Sequence, residues 1–367
     1  MNIRFHILLS AGLLLLFASC KKTEVNSSAT TSSNSAVKLG LYEADSSIYK
    51  LLFIPVPKIG TQTVNEYLIF DTGSGGMVID AHEVLPASMI TSSGFNFTGD
   101  STVVNGITIT NQTSSITYGA DNSTTEKVYG NLAYANVTVG DHGNTVTIQR
   151  LPFFLYYKGV DNAGNMLSTG SFDIFGVNTE YDVTFSNGGY VASPFSTYTP
   201  AAGLTKGFKM EALGTSNFSL AGTYVPDVIT LGLSATDLNE SGFTQHTLTP
   251  VSGYGYSVII PSSYTYGSKT VNTAYAVFDT GTEPYSYMED NTASTTPTLL
   301  PVNTAVSVTT KSAGFNYNYS ITSSDYLTYI ENPIASGSDI SIISLEYFLK
   351  NGYMLDYENH RLGLRNY

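Results

Sequence analysis

Beyond residue 37 the chain reads as apolar stretches of four to eight residues separated by clusters of Gly, Asn, Asp and Pro. Examples are Tyr67-Leu68-Ile69-Phe70, Val137-Thr138-Val139, Val258-Ile259-Ile260 and Ala276-Val277-Phe278. Runs of this length bounded by turn residues predict short strands. No window holds a long helical period with caps, and only Ile343 to Lys350 is expected to make a short helix. Short strands throughout imply sandwich or barrel lobes, so the expected fold class is all-β.

Composition sharpens this picture. Of 367 residues only 12 % are charged, against about 25 % in ordinary soluble proteins, while 27 Tyr and no Trp accompany abundant Ser, Thr, Gly and Asn. That mixture favours strands and turns. A chain this long buries a sizeable core without a metal or disulfide staple, and its single cysteine forms no internal disulfide. The net charge of −13, with no basic run beyond Lys21-Lys22, argues against nucleic acid as a partner.

The N-terminus follows another pattern. Arg4 precedes an apolar run from Ile7 to Ala18 and then small residues ending at Cys20, which is the layout of a secretory signal and too short to span a bilayer. Leu16-Phe17-Ala18-Ser19-Cys20 resembles a bacterial lipobox. The resemblance implies removal of residues 1–19, acylation of Cys20 as the new first residue, and a lipid-anchored protein of the bacterial cell envelope. Residues 20–37, poor in large apolar side chains, are then a flexible tether.

One internal repeat carries candidate chemistry. Asp71-Thr72-Gly73-Ser74 follows the apolar strand ending at Phe70, and Asp279-Thr280-Gly281-Thr282 follows the one ending at Phe278, 208 residues later (279 − 71). That separation is one domain length, which suggests two lobes of residues 38–207 and 208–367 joined through a linker-like region near Ser193 to Gly207. Two carboxylates brought together across a pseudo-two-fold axis cannot both ionise easily; they share a proton and offer a base and an acid at once, a case for which aspartic proteases are the standard example. Gly73 and Gly281 let the loops approach closely, and Thr72 and Thr280 can donate hydrogen bonds across the axis. Ser74 and Thr282 can hold the outer carboxylate oxygens.

With these residues in view, the sequence resembles the pepsin-like, bilobal aspartic proteases over nearly all of its length after the tether. Tyr67 to Ser74 resembles the first active-site strand and loop. Ile116-Thr117-Tyr118-Gly119, with Gly130 to Tyr134 and Val137 to Gly140, resembles the flap hairpin. Phe172-Asp173-Ile174-Phe175-Gly176 resembles the segment threaded beside the first loop. Thr230-Leu231-Gly232, Thr249-Pro250-Val251 and Ala276 to Thr282 resemble the opening of the second lobe and its loop, and Ser341 to Ser344, Tyr353 to Asp356 and Arg361 to Leu364 the C-terminal run. The resemblance implies two β-barrel-like lobes around a central cleft, an endopeptidase acting on extended polypeptides, and Asp71 and Asp279 as catalytic residues activating a water. Tyr118 and Gly119 then act as the flap over the substrate. No cofactor or metal is called for, and a monomer is expected.

Several positions depart from the family pattern. Ser344 stands where a glycine is usual, so the loop beside Asp279 must take in a side chain, and Val78 stands where a Trp often holds the flap tyrosine. Asp279 lies 63 residues before Ile342 whereas Asp71 lies 103 before Ile174, so the second lobe is expected to be shorter in loops. The stretch after Cys20 is too short and too poor in Lys and Arg for a basic propeptide, and no zymogen step is expected.

Other classes are less well supported. His82, His142, His246 and His360 lack metal-ligand spacing and are expected at the surface, and no Ser sits in a Gly-x-Ser-x-Gly elbow. The tyrosines are expected to cover barrel faces rather than line a carbohydrate surface. The serious alternative is a pepsin-like fold without catalysis, working as an envelope binding module. Two intact Asp-Thr-Gly turns oppose it, since buried carboxylates are costly to keep without use.

Overall fold

The computed structural model describes residues 35–45, 49–119, 125–214 and 217–367; the apolar leader, Cys20 and residues 20–34 of the expected tether lie outside the described residues. The described chain is nearly all strand, with four helices of four residues each and two 3-10 turns. Two large sheets carry it. One has 14 strands and the other eight, and the second is built wholly from residues 260–343.

Strand alternation explains how each sheet delivers a carboxylate. In Gln62–Asp71, Val64, Leu68 and Phe70 are buried, whereas Thr63, Asn65 and Tyr67 face out. In Lys269–Phe278 the same period buries Ala274, Ala276 and Phe278 and turns Tyr275 and Val277 outward. Each strand is therefore gripped by its own core up to the residue before the aspartate. Phe70 packs against Phe195 and Phe208 with ring centroids 6.2 and 6.0 Å away, and Phe278 against Tyr347 at 4.5 Å.

The large sheet also joins the two ends of the chain. Val37–Asp45 pairs with Thr223–Leu233, and Thr205–Met210 pairs with Asn351–Asp356. Tyr357 adds a side-chain tie, its hydroxyl donating to the Val177 carbonyl at 2.6 Å. The connection near Ser193 to Gly207 is packed in place: it holds the helix Pro194–Thr197, whose Phe195 is fully buried among Phe70, Phe175 and Phe208.

Local expectations fail at three places. Ile343 to Lys350 is not a helix but a strand end at Ile343 followed by a 3-10 turn over Leu345–Tyr347; Ile343 through Leu349 are all buried, so no polar face exists to make the segment a surface helix. The strand expected at Val258-Ile259-Ile260 begins only at Ile260. His246 is buried rather than at the surface, held between the Leu362 carbonyl at 3.2 Å and the Thr310 hydroxyl at 2.8 Å, and burial lowers its pKa. The tyrosine-rich hairpin of the second sheet turns Tyr317 and Tyr319 into the core.

Candidate active site

The two Asp-Thr-Gly turns meet face to face. The Thr72 N–H donates to Thr280 Oγ1 at 3.0 Å and the Thr280 N–H to Thr72 Oγ1 at 3.0 Å. Each hydroxyl then donates across the axis, Thr72 to the Phe278 carbonyl at 2.8 Å and Thr280 to the Phe70 carbonyl at 2.6 Å. Both threonines are wholly buried, so these four bonds replace water on groups that would otherwise be stranded, each worth about 1 kcal/mol net.

This clamp sets the carboxyl groups against the opposite loop. A Cβ on Gly73 would lie 2.6 Å from the Asp279 carboxyl carbon, and one on Gly281 2.9 Å from that of Asp71. Only glycine permits this approach. Asp71 Oδ1 accepts from the N–H groups of Gly73 and Ser74 at 2.7 and 3.1 Å, and its Oδ2 accepts from the Ser74 hydroxyl at 2.5 Å. Asp279 Oδ1 accepts from the Gly281 N–H at 2.8 Å and Oδ2 from the Thr282 hydroxyl at 2.5 Å. Burial raises the Asp279 pKa well above the ordinary carboxylate range, and the adjoining Asp71 carboxyl, within hydrogen-bonding reach, raises it further. Two carboxyl groups placed this closely can hold one proton between them.

Each loop is buttressed by a parallel strand. Ile174–Val177 threads between Gln62–Asp71 and Gly75–Asp80, with Gly176 opposite Asp71. Ile340–Ile343 runs beside Lys269–Phe278, and the Ile343 carbonyl accepts the Asp279 N–H at 2.8 Å. Ser344, the added side chain, is fully buried and matched: its N–H donates to the Ser286 hydroxyl at 3.0 Å, which donates back to Ser344 Oγ at 3.2 Å.

Above the dyad, Ile107–Tyr118 and Glu126–Asp141 form a long antiparallel hairpin whose tip includes Tyr118 and Gly119. The Tyr118 ring stacks on Phe172 at 5.4 Å and joins the cluster containing Val78, so it is held without a Trp. Its hydroxyl is buried without a hydrogen-bond partner, and burial, Asp182 and Asp71 all raise its pKa. Gly119, Gly73 and Asp279 border one cavity of about 300 Å³.

That cavity brings in residues the sequence reading missed. Asp182 accepts the Gly75 N–H at 2.9 Å. Asp182 is exposed to the cleft, yet the protein packed around its carboxyl pushes its pKa up to about 8, with Asp71 and Glu180 adding to the effect. Glu180, Glu289 and Glu331 border the same cavity. Tyr353 lies wholly buried, its pKa raised by burial and then by Asp279 and Asp71. Away from the dyad, Glu66, Glu83 and Asp173 bring carboxylate oxygens within 4.8 Å of one another.

No family model matches this sequence, and no curated protein does. Solved structures do match. The aspartic proteinase from Irpex lacteus is 18 % identical, with a TM-score of 0.55, over 90 % of this chain and 96 % of that one. Conglutin gamma, a basic 7S globulin from lupine seeds, is 11 % identical with a TM-score of 0.55 over 90 % and 95 %, and the basic 7S globulin from soybean 10 % identical with 0.54 over 90 % and 96 %. At these identities the likeness shows the fold, which is the pepsin-like bilobal fold.

Proposed function

We propose that this protein is an aspartic endopeptidase that hydrolyses extended polypeptides with a water activated between Asp71 and Asp279. A proteinase and two seed globulins share its fold, so the fold leaves the activity open. The observation that supports catalysis is the reciprocal clamp, in which each carboxyl packs on the other lobe's glycine and keeps a donor on each of its oxygens.

The proton held by the pair gives the mechanism its two roles. The ionised carboxylate takes a proton from the water as the water oxygen attacks the scissile carbonyl, and the protonated carboxyl donates to the developing oxyanion. Collapse of the tetrahedral species passes a proton to the leaving amine and breaks the C–N bond. The hairpin tip at Tyr118 and Gly119 covers the peptide and excludes bulk water. An acyl anchor on Cys20 would hold this activity at a bacterial envelope, acting as a monomer.

The test is digestion of a diverse peptide mixture with and without pepstatin, beside Asp71→Asn and Asp279→Asn. Hydrolysis by the parent, blocked by the inhibitor and lowered roughly 10²- to 10⁴-fold or more in both variants, is the expected result. A folded parent that cleaves nothing would move the reading to an envelope binding module.

A further inference from the structure

The second-lobe wall of the cleft has a composition that the dyad does not explain. Strand alternation sends Ser286 and Met288 of Ser286–Glu289 inward, Met288 fully buried, and leaves Tyr287 and Glu289 on the cleft side. The parallel strand Thr328–Glu331 places Glu331 directly opposite Glu289. Beside them Val277, Ile340 and Ile342 present an apolar floor to the same cavity. The wall therefore runs from the dyad across aliphatic surface to two carboxylates.

Of the two, Glu289 is set up for a cation that the cavity wall does not supply. Glu289 is only 6 % exposed, and its Oε2 is buried without a hydrogen-bond partner. The adjacent Asp290 is treated differently, with Lys269 at 2.6 Å, the Tyr266 hydroxyl at 2.6 Å and the Thr292 N–H at 2.8 Å. Glu180, Asp182, Asp279, Glu289 and Glu331 border the cavity, and among the described residues no Lys or Arg does. A buried carboxylate facing a second carboxylate is expensive, and it is retained most cheaply where a ligand brings the opposite charge. Burial, opposed by a hydrogen bond with Ser336 and reinforced by Glu331 and Asp339, pushes the Glu289 pKa up to about 7, a shift that a bound cation would reverse.

We infer that this wall is a specificity pocket for a lysine or arginine side chain of a bound polypeptide, with the alkyl stem lying on Val277, Ile340 and Ile342 and the charged head at Glu289 and Glu331. The match is to both halves of such a side chain, since Lys and Arg bury their methylene stems along apolar surface while the head seeks polar partners. An apolar side chain would cover the floor and leave Glu289 unpaired. The inference rests on the reading of the cleft as a peptide-binding cleft, and it assigns that cleft a class of substrate.

The test measures binding separately from cleavage. Decapeptides carrying lysine or norleucine at each position in turn are titrated at pH 7.5 against Asp279→Asn protein by fluorescence polarisation, and the same peptides are offered to the parent for cleavage. At one position lysine is expected to bind roughly tenfold or more tighter than norleucine, as a charge-assisted hydrogen bond provides. E289Q, and independently E331Q, is expected to collapse that ratio towards one; a merely structural role would weaken both peptides alike and leave the ratio intact. A ratio near one at every position overturns the pocket, as does a high ratio that survives both substitutions. Cleavage with no lysine preference would remove the pocket and leave the peptidase, whereas a lysine preference without cleavage would remove the peptidase and leave the pocket.

Discussion

The two lobes solve the same problem with different residues, and the differences cluster in the loop after each aspartate and the strand threaded beside it. In the first lobe the four residues after Asp71-Thr72 are Gly73, Ser74, Gly75 and Gly76, and the threaded strand carries Gly176. A Cβ at Gly75 would lie 1.8 Å from the Glu180 carbonyl oxygen, and one at Gly176 2.6 Å from that of Ser74. Backbone there is packed on backbone. In the second lobe the equivalents of Gly75 and Gly176 are Glu283 and Ser344, and both side chains are buried. The pairing reflects this: Ile174–Val177 meets Gly75–Asp80 at four register positions, whereas Ile340–Ile343 meets Ser286–Glu289 at one, Tyr287 with Ile342. The second loop is thus a looser weave with room for side chains, and it has filled that room with polar ones. What the lobes keep in common is the clamp itself, from Thr72 and Thr280 to the carboxyl groups.

Breaking the tight lobe should have the largest effect. Gly176→Ala forces a methyl group against the carbonyl oxygens of Ser74 and Gly76, 2.6 and 2.8 Å away. The expected cost is about 3 kcal/mol, with peptidase activity lost because Ser74 holds Asp71, as measured by urea midpoint and turnover. Glu283 probes the loose lobe through pH. Burial and then Glu346 push its pKa up from 4.5 to about 8, against the opposing pull of Lys50, while Asp325 adds to the rise. A carboxyl whose folded pKa is raised favours the folded state only while protonated, so stability drains as pH climbs from about 4.5 to about 8. Glu283→Gln should show a higher melting temperature than the parent at pH 8.5 and a smaller difference at pH 5. Ser344→Ala should have the smallest effect, about 1 kcal/mol by urea midpoint, because Ser286 still accepts the N–H of residue 344. Equal costs for Gly176→Ala and Ser344→Ala would refute the contrast between a tight and a loose lobe.

The fold and the dyad were legible because their signals are local. Each aspartate follows an apolar strand whose period-two pattern survives in the sequence, and the turn residues sit within four positions of it. The residues that distinguish the second lobe were not legible, because each acquires meaning from a distant partner. Ser344 reads as a defect until Ser286, 58 residues away, supplies its hydrogen bonds. Glu289 and Glu331 become a pair only through a parallel register between strands 42 residues apart (331 − 289), which no local periodicity encodes. His246 sits in Thr-Gln-His-Thr, a polar string with no sign of burial, and is enclosed because the C-terminal strand Arg361–Asn366 lies beside it.

The central claim is that Asp71 and Asp279 share one proton and act as a unit, and a pH–rate profile tests it most directly. Turnover of one cleaved peptide would be followed from acid to neutral pH for the parent, Asp71→Asn and Asp279→Asn. A shared proton requires a bell in the parent, whose acid limb is loss of the single ionised carboxylate and whose alkaline limb is loss of the last proton. It also requires the loss of roughly 10²- to 10⁴-fold or more in both variants to hold at every pH. Turnover that persists in either variant with the parental profile would contradict it.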